Sequence, residues 1–270
     1  MAGRAGRRDM TGPEAEPANQ PANVVSLAVS RPGHSIGRSE LLRVLNRGVG
    51  ASIVDEIIVG VGTDIIEGRL RPGDDLNSVE LARTFGSSRT PVREALLTLE
   101  REGFVEISAH RRPRVAVLRM PEVRELYHLR ADLYGMVSRA VVEVAEDHEL
   151  TQLRVLLDEL AAAAAQGNVD LYFWVNVQFR NTEAAISRNG SLRRVLDSLG
   201  LRMLQLRHVS LSLPGRLELS VTDHERLLRA YQDRDAELAA ALTKSLVLGG
   251  LAALERFGWD GFVPASEFQA

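Results

Sequence analysis

The chain has 270 residues, a formal net charge of −3 and no cysteine. That leaves room for one or two packed domains and excludes disulfide frames, thiol catalysis and thiolate metal sites. No hydrophobic centre of a secretory signal opens the sequence, and no apolar run reaches the length expected of a membrane span, so a cytoplasmic protein without membrane contact is expected. The charge is placed unevenly: residues 69–119 hold ten arginines against seven acids. A local basic surface on an acidic whole suits a protein that meets DNA at one place with limited non-specific affinity.

Residues 1 to about 33 are rich in Pro, Gly, Ala and Asn without apolar periodicity, which predicts disorder. Arg4, Arg7 and Arg8 there can brush a phosphate backbone or simply belong to a solvated leader. Ser39 to Asn46 has the pattern of a short helix. Ile53 to Leu70 is amphipathic and runs into Gly68-Arg69-Leu70-Arg71-Pro72-Gly73, a helix stop followed by a turn. Ser78 to Phe85 then predicts a short helix with Leu81, Ala82 and Phe85 on its apolar side, and Gly86 permits a tight turn into the next.

That next helix is the most informative stretch, Ser87-Ser88-Arg89-Thr90-Pro91-Val92-Arg93-Glu94-Ala95-Leu96. Ser88 is a suitable N-cap, and Pro91 falls in the first turn, where a missing N–H costs little. Val92, Ala95, Leu96 and Leu99 recur at helical spacing and form an apolar stripe. Arg89 and Arg93, four apart, point together from another side. A guanidinium fork grips a guanine edge or a phosphate better than an ammonium does. Gly103 ends the helix. Phe104, Val105 and Ile107, then Val115 and Val117, predict two short strands around the polar tip Ala109-His110-Arg111-Arg112-Pro113, a hairpin wing.

From Pro121 the composition shifts to Ala, Leu, Val and Arg with helical periods throughout. Six helices are predicted, at about 121–146, 148–165, 169–188, 191–209, 216–232 and 234–257, with Gly167, Gly190 and Leu213-Pro214-Gly215 as breaks. Ala161 to Ala165 favours helix without chemistry of its own. Tyr172, Phe173 and Trp174 read as packing of the bundle. The expected fold is therefore α-dominated: an N-terminal winged helix-turn-helix of three helices and a two-stranded wing, then an all-α antiparallel bundle. The expected divisions are a leader (1–48), a DNA-binding domain (49–119), a helical domain (120–258) and a tail (259–270).

Four segments carry a resemblance. They are Ile-Glu-Gly-Arg-Leu-Arg-Pro-Gly (66–73), Glu-Leu-Ala (80–82), Ser-Arg-Thr-Pro-Val-Arg-Glu-Ala-Leu (88–96) and the run Leu99 to Val105. In that order and spacing, residues of about 51–119 resemble the winged helix-turn-helix of the GntR superfamily. The resemblance implies that Arg83, Ser88, Arg89, Thr90 and Arg93 meet the major groove and phosphates, while His110, Arg111 and Arg112 at the wing tip reach the minor groove. The family usually has glycine at that tip and this chain has none, so Arg111 or Arg112 must do the reaching.

Leu126-Tyr127-His128-Leu129-Arg130 and His224-x-x-Leu227-x-x-Ala230 with Asp235-Ala236-Glu237 make residues of about 121–257 resemble the FCD domain of the FadR-type branch. Many members of that branch hold a divalent metal through an Asp and a His four apart on one helix and two later histidines. Here Asn176 and Arg180 stand at the first pair, His224 remains, and Leu246 falls at the last position. One His cannot hold zinc, and Arg180 would repel a cation, so no metal and no other cofactor is expected. Arg130 and Arg180 are instead expected to grip the carboxylate of a small anionic effector, with Asn176 and His224 orienting it. Equally, Arg180 can pair with Glu183 on its own helix, and His224 can be a core histidine.

The resemblance implies a homodimeric regulator, expected to act as a repressor, that binds a double-stranded DNA operator under control of a small organic acid. The alternative is a repressor whose helical domain only dimerises. An enzyme is not expected, because no catalytic residues are legible: there is no nucleophile–base pair, phosphate loop or framed carboxylate pair.

Overall fold

The computed structural model describes residues 34–45 and 52–257. The expectations for the leader 1–33 and the tail 259–270 lie outside the described residues. The chain opens with α1 (His34–Val44) and α2 (Ile53–Ile66), followed by α3 (Ser78–Thr84) and α4 (Arg89–Arg101). The Ser52 hydroxyl caps α2 by accepting from the Asp55 amide at 3.1 Å, and the Asn77 side chain caps α3 by accepting from the Val79 amide at 3.0 Å. Each cap satisfies an amide that a helix start leaves open. The predicted stripe of α4 is its buried face: Val92, Ala95, Leu96 and Leu99 pack with Ile57, Ile58, Val61 and Ile65 of α2 and with Leu81.

The wing is shorter than predicted. It consists of β1 (Val105–Glu106) and β2 (Arg114–Val115), antiparallel, with Val105 opposite Val115. Phe104, Ile107 and Val117 lie outside the strands. The loop before α3 supplies the missing pairing. Gly73 N donates to Val115 O at 2.9 Å, Val115 N to Asp74 O at 2.9 Å, and Leu76 N to Pro113 O at 2.7 Å. The Arg114–Asp75 ion pair at 2.6 Å lies beside them.

The helical domain comprises α5 (Met120–Val144), α6 (Asp147–Ala165), α7 (Val169–Ile186), α8 (Gly190–Ser198), α9 (Gly200–Ser212), α10 (Arg216–Gln232) and α11 (Ala236–Phe257). The single helix predicted at 191–209 is two. Gly200 takes φ +71°, a left-handed conformation that glycine adopts without steric cost, and it breaks the hydrogen-bond ladder between α8 and α9. A second expectation also needs correcting. By length and composition α11 is apolar enough to cross a membrane. Half of its most apolar window is buried inside the protein, and Ala239, Ala240, Thr243, Val247, Leu251 and Leu254 all face the interior. Its hydropathy is that of a core helix.

Winged domain and bundle share one continuous apolar core, from Ile58 and Leu99 through Leu41 and Leu42 of α1 to Tyr172, Phe173 and Trp174 of α7. Polar contacts then register the two. Trp174 Nε1 donates to Glu67 Oε1 at 2.8 Å, Arg43 pairs with Asp197 of α8, and Asn181 Nδ2 donates to Glu40 Oε2 at 2.6 Å.

Candidate functional site

Packing α4 by its apolar stripe leaves the opposite face in solvent. Ser88, Arg89, Thr90 and Arg93 are all exposed, as are Arg83 on α3 and His110, Arg111 and Arg112 at the wing tip. Among the described residues none of these arginines has an acidic partner. Ser88 occupies the N-cap, but its hydroxyl makes no capping hydrogen bond. The first-turn amides of α4 are thus not taken by a side chain, which favours an incoming phosphate. At the wing tip His110 itself adopts φ 62°, so the turn is made without glycine.

The second site is a cavity of about 30 Å³ in the bundle, lined by Arg130, Asn176 and Arg180 together with Arg207, Arg216 and Leu246. Three of the four residues expected to hold an effector therefore meet. The fourth, His224, is not at the wall; it lies behind Asn176, whose Nδ2 stands 3.1 Å from His224 Nε2. A directional chain explains the arrangement. Arg207 Nη2 donates to Asn176 Oδ1 at 2.6 Å, Asn176 Nδ2 donates to His224 Nε2, and His224 Nδ1 donates to the Ser220 carbonyl at 2.6 Å. The His ring is thereby held neutral with its proton on Nδ1. Arg180 is only 1% exposed and pairs through Nη1 with Glu183 at 2.8 Å. The pairing within its own helix thus exists, yet Arg180 Nη2 still lacks a partner, and so does Arg216 Nε.

Burial, with Arg180, Arg207 and Arg130 nearby, pushes His224 down to about 3, the Ser220 carbonyl opposing them. Burial and the neighbouring Arg130 and Arg180 lower Arg207 to about 9. The depressed imidazole has a consequence for acid stability. Its folded value lies below the unfolded one, so the stability it contributes is complete above about pH 6.5 and drains away as pH falls toward about 3. Urea midpoints at pH 7 and pH 5 are expected to differ less in His224→Gln than in the wild type; equal pH dependence would count against this assignment.

A divalent cation does not fit this donor set. Asn176 already spends both polar ends on Arg207 and His224, four guanidiniums converge there, and among the described residues no three His, Cys, Asp or Glu gather anywhere.

Sequence reasoning missed Arg207 and Arg216. Arg207 did leave a signal: it occupies the core position of the stripe Leu201, Leu204, Leu211, where a charge has no solvent to face. Arg216 follows the Pro-Gly break and offered none. Also missed was Arg202, five residues before Arg207 on α9, whose Nε donates to the Gly103 carbonyl at 2.8 Å. Gly103, at φ 72°, closes α4, and a β-carbon there would collide with the Arg202 guanidinium. Gly103→Ala is expected to lose about 1–2 kcal/mol from the left-handed backbone alone, and more from displacing Arg202. Urea unfolding beside Arg202→Ala, which keeps the backbone intact, separates the two contributions.

Comparison with known proteins agrees with this geometry. Residues 53–115 match the family of bacterial regulatory proteins, gntR family, and residues 125–248 match the FCD domain. The Nta operon transcriptional regulator of Aminobacter aminovorans is 31% identical over 174 residues, 63% of this chain and 80% of that protein. An HTH-type transcriptional regulator of Bacillus subtilis, YdhC, is 27% identical over 176 residues, 65% and 79% of the two chains. The solved structure of E. coli McbR/YncC superposes with a TM-score of 0.66 at 25% identity, covering 77% of this chain and 99% of that one. These relatives are transcription regulators and not enzymes. With an exposed arginine face on the third helix of a winged domain, and a helical FCD domain behind it, the chain belongs to the GntR family of transcription regulators, in the branch that carries the FCD domain.

Proposed function

We propose that this regulator is a cytoplasmic homodimer whose grip on a DNA operator is set by a small anionic metabolite, a carboxylate in the simplest case, in the bundle cavity. Residues 49–119 form the DNA-reading unit. Two copies of α4 enter successive major grooves with Arg89, Thr90 and Arg93 toward base edges and phosphates, while Arg83 and Ser88 hold the backbone. His110, Arg111 and Arg112 reach the adjacent minor groove. Arg130 and Arg180 bind the effector with Asn176 between them, and His224 acts through Asn176.

The observation that carries this reading is α9. The same helix presents Arg207 to the cavity and Arg202 to the carbonyl that ends α4. Arg130 and Arg207 also wall a second cavity of about 40 Å³ at the junction, where Arg43 pairs with Asp197. A ligand that draws Arg207 therefore acts on an element in contact with the DNA-reading helix. Such a ligand shifts operator affinity only by binding one domain arrangement better than another, and a tenfold shift needs about 1.4 kcal/mol. A bundle that serves only for dimerisation leaves the buried arginines without a purpose.

The test is selection from a random duplex library with the full chain at moderate ionic strength, followed by operator titration with and without a pool of small organic acids. The expected product is a near-palindrome with half-sites about one helical turn apart. Absence of any enriched sequence removes the DNA half of the reading. Affinity indifferent to every acid favours the dimerisation-only alternative.

A further inference from the structure

We propose that the bundle cavity is a site for a compact dianion, with Arg207 and Arg216 as ligand-binding residues beside Arg130 and Arg180. The inference rests on the reading of this cavity as the effector site, and adds the ligand's charge, its size and two arginines.

Arg130, Arg180, Arg207 and Arg216 come from four different helices, α5, α7, α9 and α10, and each is at most 9% exposed. Among the described residues no acid lines the cavity. Glu183 satisfies Arg180 alone, so among the described residues the other three guanidiniums have no acidic partner. Aromatic faces soften this only in part: the Arg130 and Arg180 guanidinium carbons lie 4.9 and 5.3 Å from the centre of the Tyr134 ring. Buried charge without a counter-charge is among the costliest arrangements a fold can hold. One negative charge would leave the larger part of it in place, whereas two bring the cluster near balance.

Open donors point the same way. Arg180 Nη2 and Arg216 Nε are buried without a hydrogen-bond partner, and both residues line this cavity. Arg207 is turned toward it while its Nη2 is anchored on Asn176. Guanidinium forks from several directions match oxygens at both ends of a small ligand.

Size decides the rest. A volume of about 30 Å³ is that of two or three waters at roughly 10–15 Å³ each. A sugar acid or an acyl chain does not enter without rebuilding the bundle. The smallest dianions, a phosphate group or a short dicarboxylate, exceed this volume the least and enter as the lining side chains move apart. Leu211, Leu246 and Val247 supply an apolar wall that a dicarboxylate's methylene would touch and an inorganic phosphate would not.

The experiment is thermal unfolding of the full chain at pH 7 and constant ionic strength with malonate, inorganic phosphate or acetate. A dianion at 100-fold excess over its dissociation constant is expected to raise Tm by roughly 5 °C or more, and acetate by about 1 °C or less. Response to malonate but not phosphate assigns a dicarboxylate, and the reverse assigns a phosphate group. Arg207→Met and Arg216→Leu each remove an uncompensated charge. The free variants are expected to melt at or above the wild type and to lose at least about two-thirds of the dianion shift. Asn176→Asp, which keeps the side-chain shape and places a carboxylate at the wall, is expected to raise the melting temperature without ligand and to abolish the preference for dianions.

Acetate matching malonate would overturn the charge argument while leaving the cavity as an effector site. Stabilisation by none of the anions would overturn the effector reading itself, whereas undiminished shifts in both arginine variants would remove Arg207 and Arg216 from the site and end this proposal alone. Free Arg207 and Arg216 variants that melt far below the wild type, with Asn176→Asp no more stable than it, would make the arginines structural and end the proposal.

Discussion

Arg93→Ala is expected to weaken operator binding by about 5- to 150-fold per half-site, the 1–3 kcal/mol of a lost bidentate base contact. The change is confined to binding, because Arg93 is exposed while Val92, Ala95, Leu96 and Leu99 hold α4 in place. Far-UV circular dichroism and the urea midpoint should match the wild type. Arg226→Ala, which removes an equal charge from the exposed surface of α10, serves as the control in the same gel-shift titration. A loss for both variants would reduce the effect to overall charge. A loss for neither would displace Arg93 from the interface. If Arg93 reads a base, its variant also relaxes sequence preference at one position; if it meets a phosphate, it weakens all sequences alike and flattens the salt dependence.

Glu183→Gln should produce the largest stability loss of any isosteric change in the bundle, about 3–5 kcal/mol by urea unfolding. Glu183 is fully buried, and it is the acid that pairs with Arg180 and accepts from Tyr231 Oη at 2.7 Å. Without its charge, Arg180 joins Arg130, Arg207 and Arg216 as a fourth uncompensated cation. Burial and the adjoining carboxylate both push Tyr231 upward, so the phenol remains a donor and cannot substitute as an anion. Arg180→Met combined with Glu183→Leu removes both charges at once, and is expected to cost much less than the sum of the separate changes. A Glu183→Gln protein as stable as the wild type would show that the cluster tolerates bare charge, and the case for a dianion would weaken with it. The same coupling makes Arg180→Ala a poor probe of effector binding, since it orphans a buried carboxylate.

Much of the architecture is legible in the sequence. The stripe Val92, Ala95, Leu96, Leu99 and the pair Arg89, Arg93 place the buried and exposed faces of α4 correctly, because helical geometry carries sequence spacing into space without help from the rest of the fold. The breaks at Gly167 and Leu213-Pro214-Gly215 fall where helices end, for the same local reason. The division of 191–209 into two helices was not legible. Gly200 is one glycine among 22, and whether it bends a helix or merely weakens it depends on what packs around it. The wing strands came out shorter than their apolar pattern, because half of the pairing comes from residues 73–76, a partner that local periodicity cannot announce.

The cavity divides in the same way. Arg130, Asn176 and Arg180 were reachable through the family resemblance, and the pairing of Arg180 with Glu183 by a three-residue step along one helix. Arg207 and Arg216 were not, since their neighbours lie on other helices. The chain alone determined a helix with one apolar and one arginine-bearing face, an all-helical partner domain and, through the family resemblance, the expectation that Asn176, Arg180 and Leu246 stand where relatives hold a metal. Only the packed molecule decided that four guanidiniums meet at one cavity while Glu183 pairs with Arg180 alone, that His224 stands behind the wall, and that α9 links the cavity to α4 through Arg202 and Gly103. The physical reason is range. Periodicity and capping act over a few residues of backbone, whereas charge balance and enclosure depend on which distant segments the apolar core draws together.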